Sequence, residues 1–287
     1  MSLPGERMVE QQGWLKGHRF LLLRRLSQFS ILGLFFAGSH YGWTLLQGNL
    51  SSSSVLGVVP MTDPFVFSQL LLAGHMPELT AIVGALLVVG FYALVGGRSF
   101  CSWVCPVNIV TDAAAWLRRR LGLVKTTALS PRLRYWLLAM ALLLPLLSGY
   151  IVWELVNPVS LLQRGLIFGI SGGWSLIGLI FLFDLVITQR GWCRHLCPMG
   201  AFYSLIGKAS VVRIRTPARQ RCDDCMDCYK VCPEPQVLKP VLKGEQHGVA
   251  PVILDPNCTN CGRCIDVCAV DVFKPGTRFA TEVEKKQ

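Results

Sequence analysis

The chain has 287 residues, of which 52% are hydrophobic and only 16% are charged, and its formal net charge is +11. This composition is too apolar for an ordinary soluble protein of this size, so it favours a membrane protein. Lys and Arg at the ends of membrane helices account for the positive charge, so no nucleic-acid partner is needed to explain it and none is predicted.

Four apolar stretches of about 20 residues are long enough to cross a hydrocarbon core roughly 30 Å thick. We place these predicted spans at residues 26–46, 79–95, 135–153 and 166–187. Five Lys and Arg residues precede the first span and seven separate the second from the third, whereas residues 47–78 contain none. Since cytoplasmic loops carry the positive charge, both termini are predicted to be cytoplasmic.

The predicted organisation has three parts. They are a cytoplasmic segment at 1–25, a four-helix transmembrane domain at 26–206, and a cytoplasmic domain with its tail at 207–287. The chain has twelve cysteines, all in spaced groups, which indicates electron transfer, and eight of them lie near the C-terminus with the spacing that bacterial ferredoxins use for iron–sulfur clusters. The predicted fold class is therefore an α-helical membrane protein with four transmembrane helices, plus a small α+β ferredoxin-like domain with two clusters.

Residues 58–78, on the predicted outer face, are too apolar for a solvated loop and are broken by prolines. A quinol site needs an apolar slot and a few polar groups that orient the ring and accept its two protons. The polar candidates for catalytic residues on this face are Asp63, Gln69, His75 and Glu154.

A second interpretation of this face is structural. The element Asp63-Pro64 is followed by Gln69, and the same pattern recurs 94 residues later at Asn157-Pro158 and Gln163. Asp63 and Asn157 are good N-caps for short helices, and proline is favoured at the first helical position. The capping role and the quinol role are compatible.

Two Cys-x-x-x-Cys-Pro motifs lie 92 residues apart, and their thiols are Cys101, Cys105, Cys193 and Cys197. Together with the recurring outer element, they indicate two parallel two-helix repeats. Cysteines four apart lie on one helical face, so each pair can present two thiolates to the other. A further iron–sulfur cluster, dithiol redox chemistry and a structural role are the alternatives, and His195 is either a ligand, a proton carrier or an interfacial residue.

Eight more cysteines form two quartets near the C-terminus, each spaced C-x-x-C-x-x-C-x-x-x-C. In ferredoxins with two [4Fe-4S] clusters, the fourth cysteine of each quartet ligates the other cluster. One predicted ligand set is Cys222, Cys225, Cys228 and Cys268. The other is Cys258, Cys261, Cys264 and Cys232. A pair of zinc sites is the alternative, because C-x-x-C pairs also bind zinc.

Other redox cofactors find no support in the sequence. The predicted spans contain one histidine, His40, and the chain has no C-x-x-C-H haem attachment sequence and no nucleotide-binding glycine motif. Thiolate-bound iron is therefore the redox cofactor that the sequence supports.

From Trp14 to about Lys274, the chain resembles the NapH family, the membrane ferredoxin-type subunits of periplasmic nitrate reductase systems. The matching stretches are Phe100-Cys-Ser-Trp-Val-Cys-Pro-Val-Asn108, Asn157-Pro-Val-Ser-Leu161, Gly191-Trp-Cys193, Cys225-Met-Asp-Cys228 and Val231-Cys-Pro-Glu-Pro235.

The resemblance implies a quinol dehydrogenase component in the bacterial inner membrane. It would draw on the membrane quinol pool and pass electrons through a NapG-type periplasmic iron–sulfur protein to periplasmic cytochromes and nitrate reductase. The alternative is a non-catalytic assembly or regulatory polyferredoxin that supports metalloenzyme maturation. The short outer loops favour electron transfer, since they leave no room for a sensory domain.

Overall fold

The computed structural model describes residues 4–123, 127, 129–169 and 173–280. The chain divides into two compact units. The cysteine-rich unit comprises Met1–Ser27, Tyr92–Trp103 and Tyr203–Gln287, and the helical unit comprises Gln28–Phe91 and Val104–Phe202. The cysteine-rich unit thus joins the predicted cytoplasmic domain to two stretches that are distant in sequence.

Most of the described chain is helical. The helices are α1 Glu6–Gln12, α2 Trp14–Tyr41, α3 Pro64–Leu72, α4 Leu79–Val95, α5 Ser99–Trp103, α6 Val107–Arg120, α7 Leu133–Ser148, α8 Val152–Val156, α9 Pro158–Phe168, α10 Gly173–Val186, α11 Pro198–Ile206, α12 Asp227–Val231, α13 Leu238–Lys243 and α14 Arg263–Asp266. The strands are β1 Leu46–Gly48, β2 Ser52–Val55, β3 Val59–Thr62, β4 Val212–Arg215 and β5 Lys274–Thr277.

One described helix, α2, is long and apolar enough by itself to cross a membrane, with 28 residues. The other predicted spans correspond to the shorter apolar helices α4, α7 and α10, which have 17, 16 and 14 residues. The predicted span 79–95 coincides with α4.

The predicted limits of the other spans differ from the structure. Helix α2 begins at Trp14 and not at residue 26, because Lys and Arg are good helix formers and the helix continues through the basic segment. Of the fourth predicted span, residues 166–168 belong to α9, residues 170–172 lie outside the described residues, and α10 begins at Gly173.

The core of the cysteine-rich unit is built around cysteines. Strands β4 and β5 pair antiparallel, with Val212 opposite Thr277 and Arg215 opposite Lys274. The buried core cluster comprises Ile214, Cys228, Val237, Leu238, Val241, Leu242, Ile253, Cys264, Cys268, Val272 and Phe273. Because three of these residues are thiols, the apolar core of this unit depends on whatever the cysteines bind.

The helical unit contains a three-stranded antiparallel sheet in the order β1-β2-β3, which the sequence analysis did not predict. Its strands are short, and Pro60 in β3 argues against a strand when only the sequence is considered. Helix α10 packs against α6 and α9, and α3 packs against α7.

Buried charges fix the end of α10. Asp184, which is fully buried, accepts a 2.9 Å hydrogen bond from the backbone N–H of Trp192. Arg190, also buried, forms a 3.1 Å ion pair with Asp112 of α6. These contacts connect α6 and α10 to the segment that carries the second cysteine motif.

Candidate functional site

The eight C-terminal cysteines line two cavities in the cysteine-rich unit. Cavity A is lined by Cys222, Cys225, Cys228 and Cys268. Cavity B is lined by Cys232, Cys258, Cys261 and Cys264. Each cavity therefore receives three cysteines from one quartet and the fourth from the other, which is the grouping expected of a two-cluster ferredoxin.

Left-handed turns at equivalent positions bend the chain around both cavities. Asp224 and Asn260, each one residue before the second cysteine of its quartet, have φ angles of 55° and 46°. Met226 and Gly262, each one residue after that cysteine, have φ angles of 63° and 71°. At Gly262 a side chain is excluded as well, since a Cβ atom would lie 2.3 Å from the ring of Phe20.

Burial raises the pKa of three thiols of cavity A, those of Cys222, Cys228 and Cys268. Burial, followed by the neighbouring Cys268, Cys222 and Cys225, raises the pKa of Cys228 to about 12. Four thiolates gathered in this space need a positively charged partner, which an iron–sulfur cluster supplies.

Cavity B has a different electrostatic environment. Burial raises the pKa of Cys258 to about 12, and burial with the neighbouring thiols also raises that of Cys264. Burial, the largest single effect, acts in the same direction on Cys261, but the charges of Arg263 and Arg24, together with hydrogen bonds from Thr259 and the Arg263 backbone, lower the pKa of Cys261 to about 7. One thiol of cavity B therefore has a strong tendency to ionise.

The donor sets of both cavities suit a cluster. Zinc in a structural site is bound by four ligands at about 2.0–2.3 Å from one ion. Across the described residues, no three His, Cys, Asp or Glu side chains are arranged to hold a single metal ion. The thiols surround cavities instead, as the ligands of a cubane must.

The first Cys-x-x-x-Cys-Pro motif spans the end of a helix. Cys101 lies within α5, which ends at Trp103, whereas Cys105 lies in the turn beyond it and is buried. Pro106 then begins α6 as its N-cap. The prediction that the two cysteines share one helical face is therefore wrong for this motif, because the helix ends between them.

The second motif has a related arrangement. Cys193 lies in a π-helical turn, Trp192–Leu196, which ends before Cys197. The thiol of Cys193 lies 4.0 Å from the hydroxyl oxygen of Thr111, and the backbone N–H of Gly200 donates to the sulfur of Cys197 at 3.4 Å. Here too the helical turn ends between the two cysteines, so the shared-face prediction is wrong. π-Helical turns occur frequently at functional sites.

The two recurring outer elements are helix caps. The Asp63 carboxylate accepts a 3.0 Å hydrogen bond from the backbone N–H of Phe65, at the start of α3. The Asn157 side-chain oxygen accepts a 3.1 Å hydrogen bond from Val159, at the start of α9. The predicted capping role is confirmed for both residues, and the quinol role of Asp63 stays a prediction.

Ser51 connects two of the four predicted catalytic residues. Its carbonyl oxygen accepts the backbone N–H of Asp63 at 2.9 Å, and its hydroxyl donates to the Glu154 carboxylate at 3.2 Å. Asn157 also donates to Glu154, at 3.1 Å. Sequence analysis missed Ser51, since a serine in a serine-rich loop carries no distinguishing signal.

The other two candidates have different environments. Gln69 of α3 is fully buried, and neither atom of its side-chain amide has a hydrogen-bond partner among the described residues. His75 is exposed in the turn after α3, where its backbone N–H donates to Leu70. The structure therefore connects Asp63 with Glu154 and leaves His75 outside that network.

Family comparisons agree with the cysteine geometry. Residues 221–272 match the 4Fe-4S dicluster domain, and residues 78–123 and 170–217 each match a 4Fe-4S binding domain. The latter two matches begin 92 residues apart, as do the two Cys-x-x-x-Cys-Pro motifs that they contain. The chain is thus a ferredoxin-type iron–sulfur protein of electron transfer.

Curated relatives identify the family. The chain is 49% identical to the ferredoxin-type protein NapH of Haemophilus influenzae, with 97% of this chain and 96% of the relative aligned. It is 45% identical to NapH of Escherichia coli, over 96% of each chain. It is 52% identical to the methylamine utilization ferredoxin-type protein MauN of Methylorubrum extorquens, over 93% of this chain and 92% of the relative.

The chain therefore belongs to the family of ferredoxin-type proteins that includes NapH and MauN. The resemblance to the NapH family in the sequence is confirmed. No solved structure matches the chain.

Proposed function

We propose that this protein is a membrane electron-transfer subunit that oxidises quinol and passes the electrons through two [4Fe-4S] clusters. The observation that carries the proposal is the crossed arrangement of eight thiols, in which each of cavities A and B is lined by three cysteines of one quartet and the fourth cysteine of the other. When bound, each cluster supplies a site that accepts and releases one electron. The chain's own contribution is to hold, bury and electrostatically tune these two sites.

The surface of the apolar helices supports a membrane location. On α4, α7 and α10, large apolar side chains are mostly exposed, among them Leu86, Leu147 and Leu179. Apolar faces of this extent are stable in contact with lipid and unfavourable in contact with water. We propose that these three helices span the membrane together with α2, with both termini in the cytoplasm.

The network around Ser51 supports a proton-accepting role on the outer face. Oxidation of a quinol releases two electrons and two protons. Asp63 and Glu154 provide two carboxyl groups, and Ser51 contacts both residues: it accepts the backbone N–H of Asp63 and donates its hydroxyl to Glu154. The aromatic rings of Phe65 and Trp153 lie 6.0 Å apart. We propose that the carboxylates take up the protons while the electrons pass to the clusters.

The four thiols of the Cys-x-x-x-Cys-Pro motifs are the proposed ligands of a third cluster. Both motifs lie within matches to a 4Fe-4S binding domain. In each motif the helix ends between the two cysteines, which leaves one thiol in the last turn and the other in the connection before proline.

The proposed destination of the electrons is a periplasmic nitrate reductase, reached through a NapG-type iron–sulfur protein and periplasmic cytochromes. The relationship to the two NapH proteins supports this proposal. The comparable identity to MauN supports a second candidate, in which the same electron transfer serves methylamine utilisation. Deletion of the gene distinguishes the two by loss of nitrate-dependent or of methylamine-dependent growth.

The decisive experiment is a quinol titration of the full-length protein, purified in detergent without oxygen. Electron paramagnetic resonance and iron analysis follow the clusters while a short-chain quinol is added. We expect stepwise reduction of the clusters by quinol. Intact clusters that dithionite reduces and quinol does not would overturn the proposal and favour the assembly or regulatory role.

A further inference from the structure

Helix α1 lies against the first quartet beside cavity A. The backbone N–H of Gly5, immediately before α1, donates to the Asp227 carboxylate at 3.1 Å. Arg7 forms a 2.6 Å ion pair with Asp223, which lines the cavity. These two carboxylates flank Cys225, an exposed thiol of cavity A. The contacts therefore place α1 beside a part of the cavity that lies close to solvent.

The same helix contacts the second quartet. The side-chain amide of Gln12 donates to the carbonyl oxygen of Ala269 at 3.1 Å and to the Asp271 carboxylate at 3.0 Å. Ala269 directly follows Cys268, the thiol that the second quartet supplies to cavity A. Helix α1 therefore contacts both chain segments that bring thiols to this cavity.

One face of this helix is buried and the other is exposed. Gly5 and Met8 are buried, whereas Glu6 and Glu10 are exposed. Residues three or four apart lie on the same face of a helix, so α1 presents one side to the unit and the other to solvent. A Cβ atom at Gly5 would lie 3.1 Å from the side chain of Val267, which also lines cavity A. The close packing at this end thus reaches the cavity itself.

A single residue, Gly13, links α1 to α2. Its φ angle is 88°, a left-handed conformation that glycine adopts without steric cost. The side chains of the Arg7–Asp223 pair are 50% and 33% exposed. Surface pairs of this kind contribute little to stability and are screened by salt. The helix is thus attached through a glycine at one end and by partly exposed polar contacts along its length.

We infer that residues 5–12 form a lid over the cluster in cavity A, and that rotation at Gly13 opens it. When closed, the lid joins the two quartets and limits the access of solutes to the cluster. Its contacts involve residues that line or flank cavity A, so opening exposes this cluster while the rest of the unit stays folded, as in local unfolding. This inference rests on the two clusters of the proposed function.

The test is the rate at which a ferrous chelator removes iron from the full-length protein, reduced with dithionite in detergent without oxygen. Electron paramagnetic resonance follows both clusters, and Cys225→Ser identifies the signal from cavity A. We expect the loss of the cavity A cluster to accelerate as the ionic strength rises from about 0.1 M to about 1 M. This change shortens the Debye length from about 10 Å to about 3 Å and so weakens the ion pair of the lid.

Arg7→Gln removes one contact that holds the lid closed. We expect iron to leave cavity A about threefold faster at low salt, in the range of a lost surface ion pair, and to respond less to added salt. The stability of the whole protein should not change, because the lid opens locally.

Met8→Ala removes the buried side chain of the lid, which is 4% exposed. We expect iron to leave cavity A at least about tenfold faster, because truncation of a buried methionine favours the open state. In both variants the rate of iron loss from cavity B should stay unchanged, which makes this second cluster an internal control.

Lys243→Gln is the matched control variant. Lys243 belongs to α13 and forms an exposed ion pair with Asp224, another acidic residue that lines cavity A. We expect it to leave the rate at cavity A unchanged, and an acceleration equal to that in Arg7→Gln would count against the lid. Unchanged rates in both Arg7→Gln and Met8→Ala, or equal acceleration at both cavities, would overturn the inference. Absence of iron from the unaltered protein would instead overturn the proposed function, so the two failures are distinguishable.

Discussion

Arg98 and Glu234 form an ion pair in the interior of the cysteine-rich unit, and the side chain of each is only 1% exposed. Arg98 follows the apolar helix α4, whereas Glu234 follows Cys232 and Pro233 in the first quartet. Gln236 donates a further 2.6 Å hydrogen bond to Glu234, so the carboxylate has two side-chain donors. The pair connects the end of α4 to the segment that lines cavity B.

Breaking this pair on one side should destabilise the protein strongly. Glu234→Gln leaves the Arg98 charge buried without its carboxylate, and we expect a loss of about 3–5 kcal/mol in the free energy of unfolding. The double variant Arg98→Met/Glu234→Gln should recover most of this loss, because no isolated charge remains. Anaerobic denaturant unfolding in detergent measures both values.

The surface pair Arg7–Asp223 provides the control for this comparison. Its side chains are 50% and 33% exposed, so Arg7→Gln should have no measurable effect on unfolding. A double variant less stable than Glu234→Gln alone would contradict the explanation by an uncompensated charge.

The crossed arrangement of the quartets predicts which ligand variants share a phenotype. Cys268→Ser should alter the same cluster signal as Cys225→Ser, although Cys268 belongs to the second quartet in sequence. Cys232→Ser should likewise match Cys261→Ser. Electron paramagnetic resonance of the four single variants checks the assignment, and a match between Cys268→Ser and Cys261→Ser would contradict it.

The first three cysteines of each quartet could be grouped from the sequence because local turns determine their positions, and the exchange of the fourth cysteine followed from the two-cluster ferredoxin pattern. The spacing of each quartet encodes two consecutive reversals of the chain, and the structure places left-handed residues such as Asp224 and Asn260 at equivalent positions. The caps at Asp63 and Asn157 were accessible for the same reason, since a cap depends on residues two or three positions away.

Long-range contacts had no comparable signal in the sequence. The Asp266 carboxylate accepts the backbone N–H groups of Phe20 and Leu21 at 3.0 and 2.9 Å, across more than 240 residues of chain. Nothing in the basic N-terminal segment indicated this contact, nor that Arg24 would be buried. The end of a helix between the two cysteines of each Cys-x-x-x-Cys-Pro motif was also missed, because a four-residue spacing suits an uninterrupted helix equally well.

The role of the Cys-x-x-x-Cys-Pro thiols can be measured by iron content. Three [4Fe-4S] clusters correspond to about twelve irons per chain and two correspond to about eight. We expect about twelve in the unaltered protein, with a loss of about four in both Cys105→Ser and Cys193→Ser. His195→Gln should keep the full iron content, because the four thiols complete the proposed ligand set. About eight irons in the unaltered protein would contradict the third cluster.

The quinol role of Asp63 can be separated from its role as a cap. Asparagine caps a helix about as well as aspartate, so Asp63→Asn should preserve the start of α3 and remove the proton-accepting carboxylate. We expect quinol-driven cluster reduction to slow about 100-fold, in the range typical of a lost general base, with unchanged iron content and thermal stability. Glu78→Gln, which removes an exposed carboxylate from the same outer segment, should not slow reduction. Stopped-flow absorbance of the clusters measures both rates, and an unaltered rate in Asp63→Asn would leave this residue with the capping role alone.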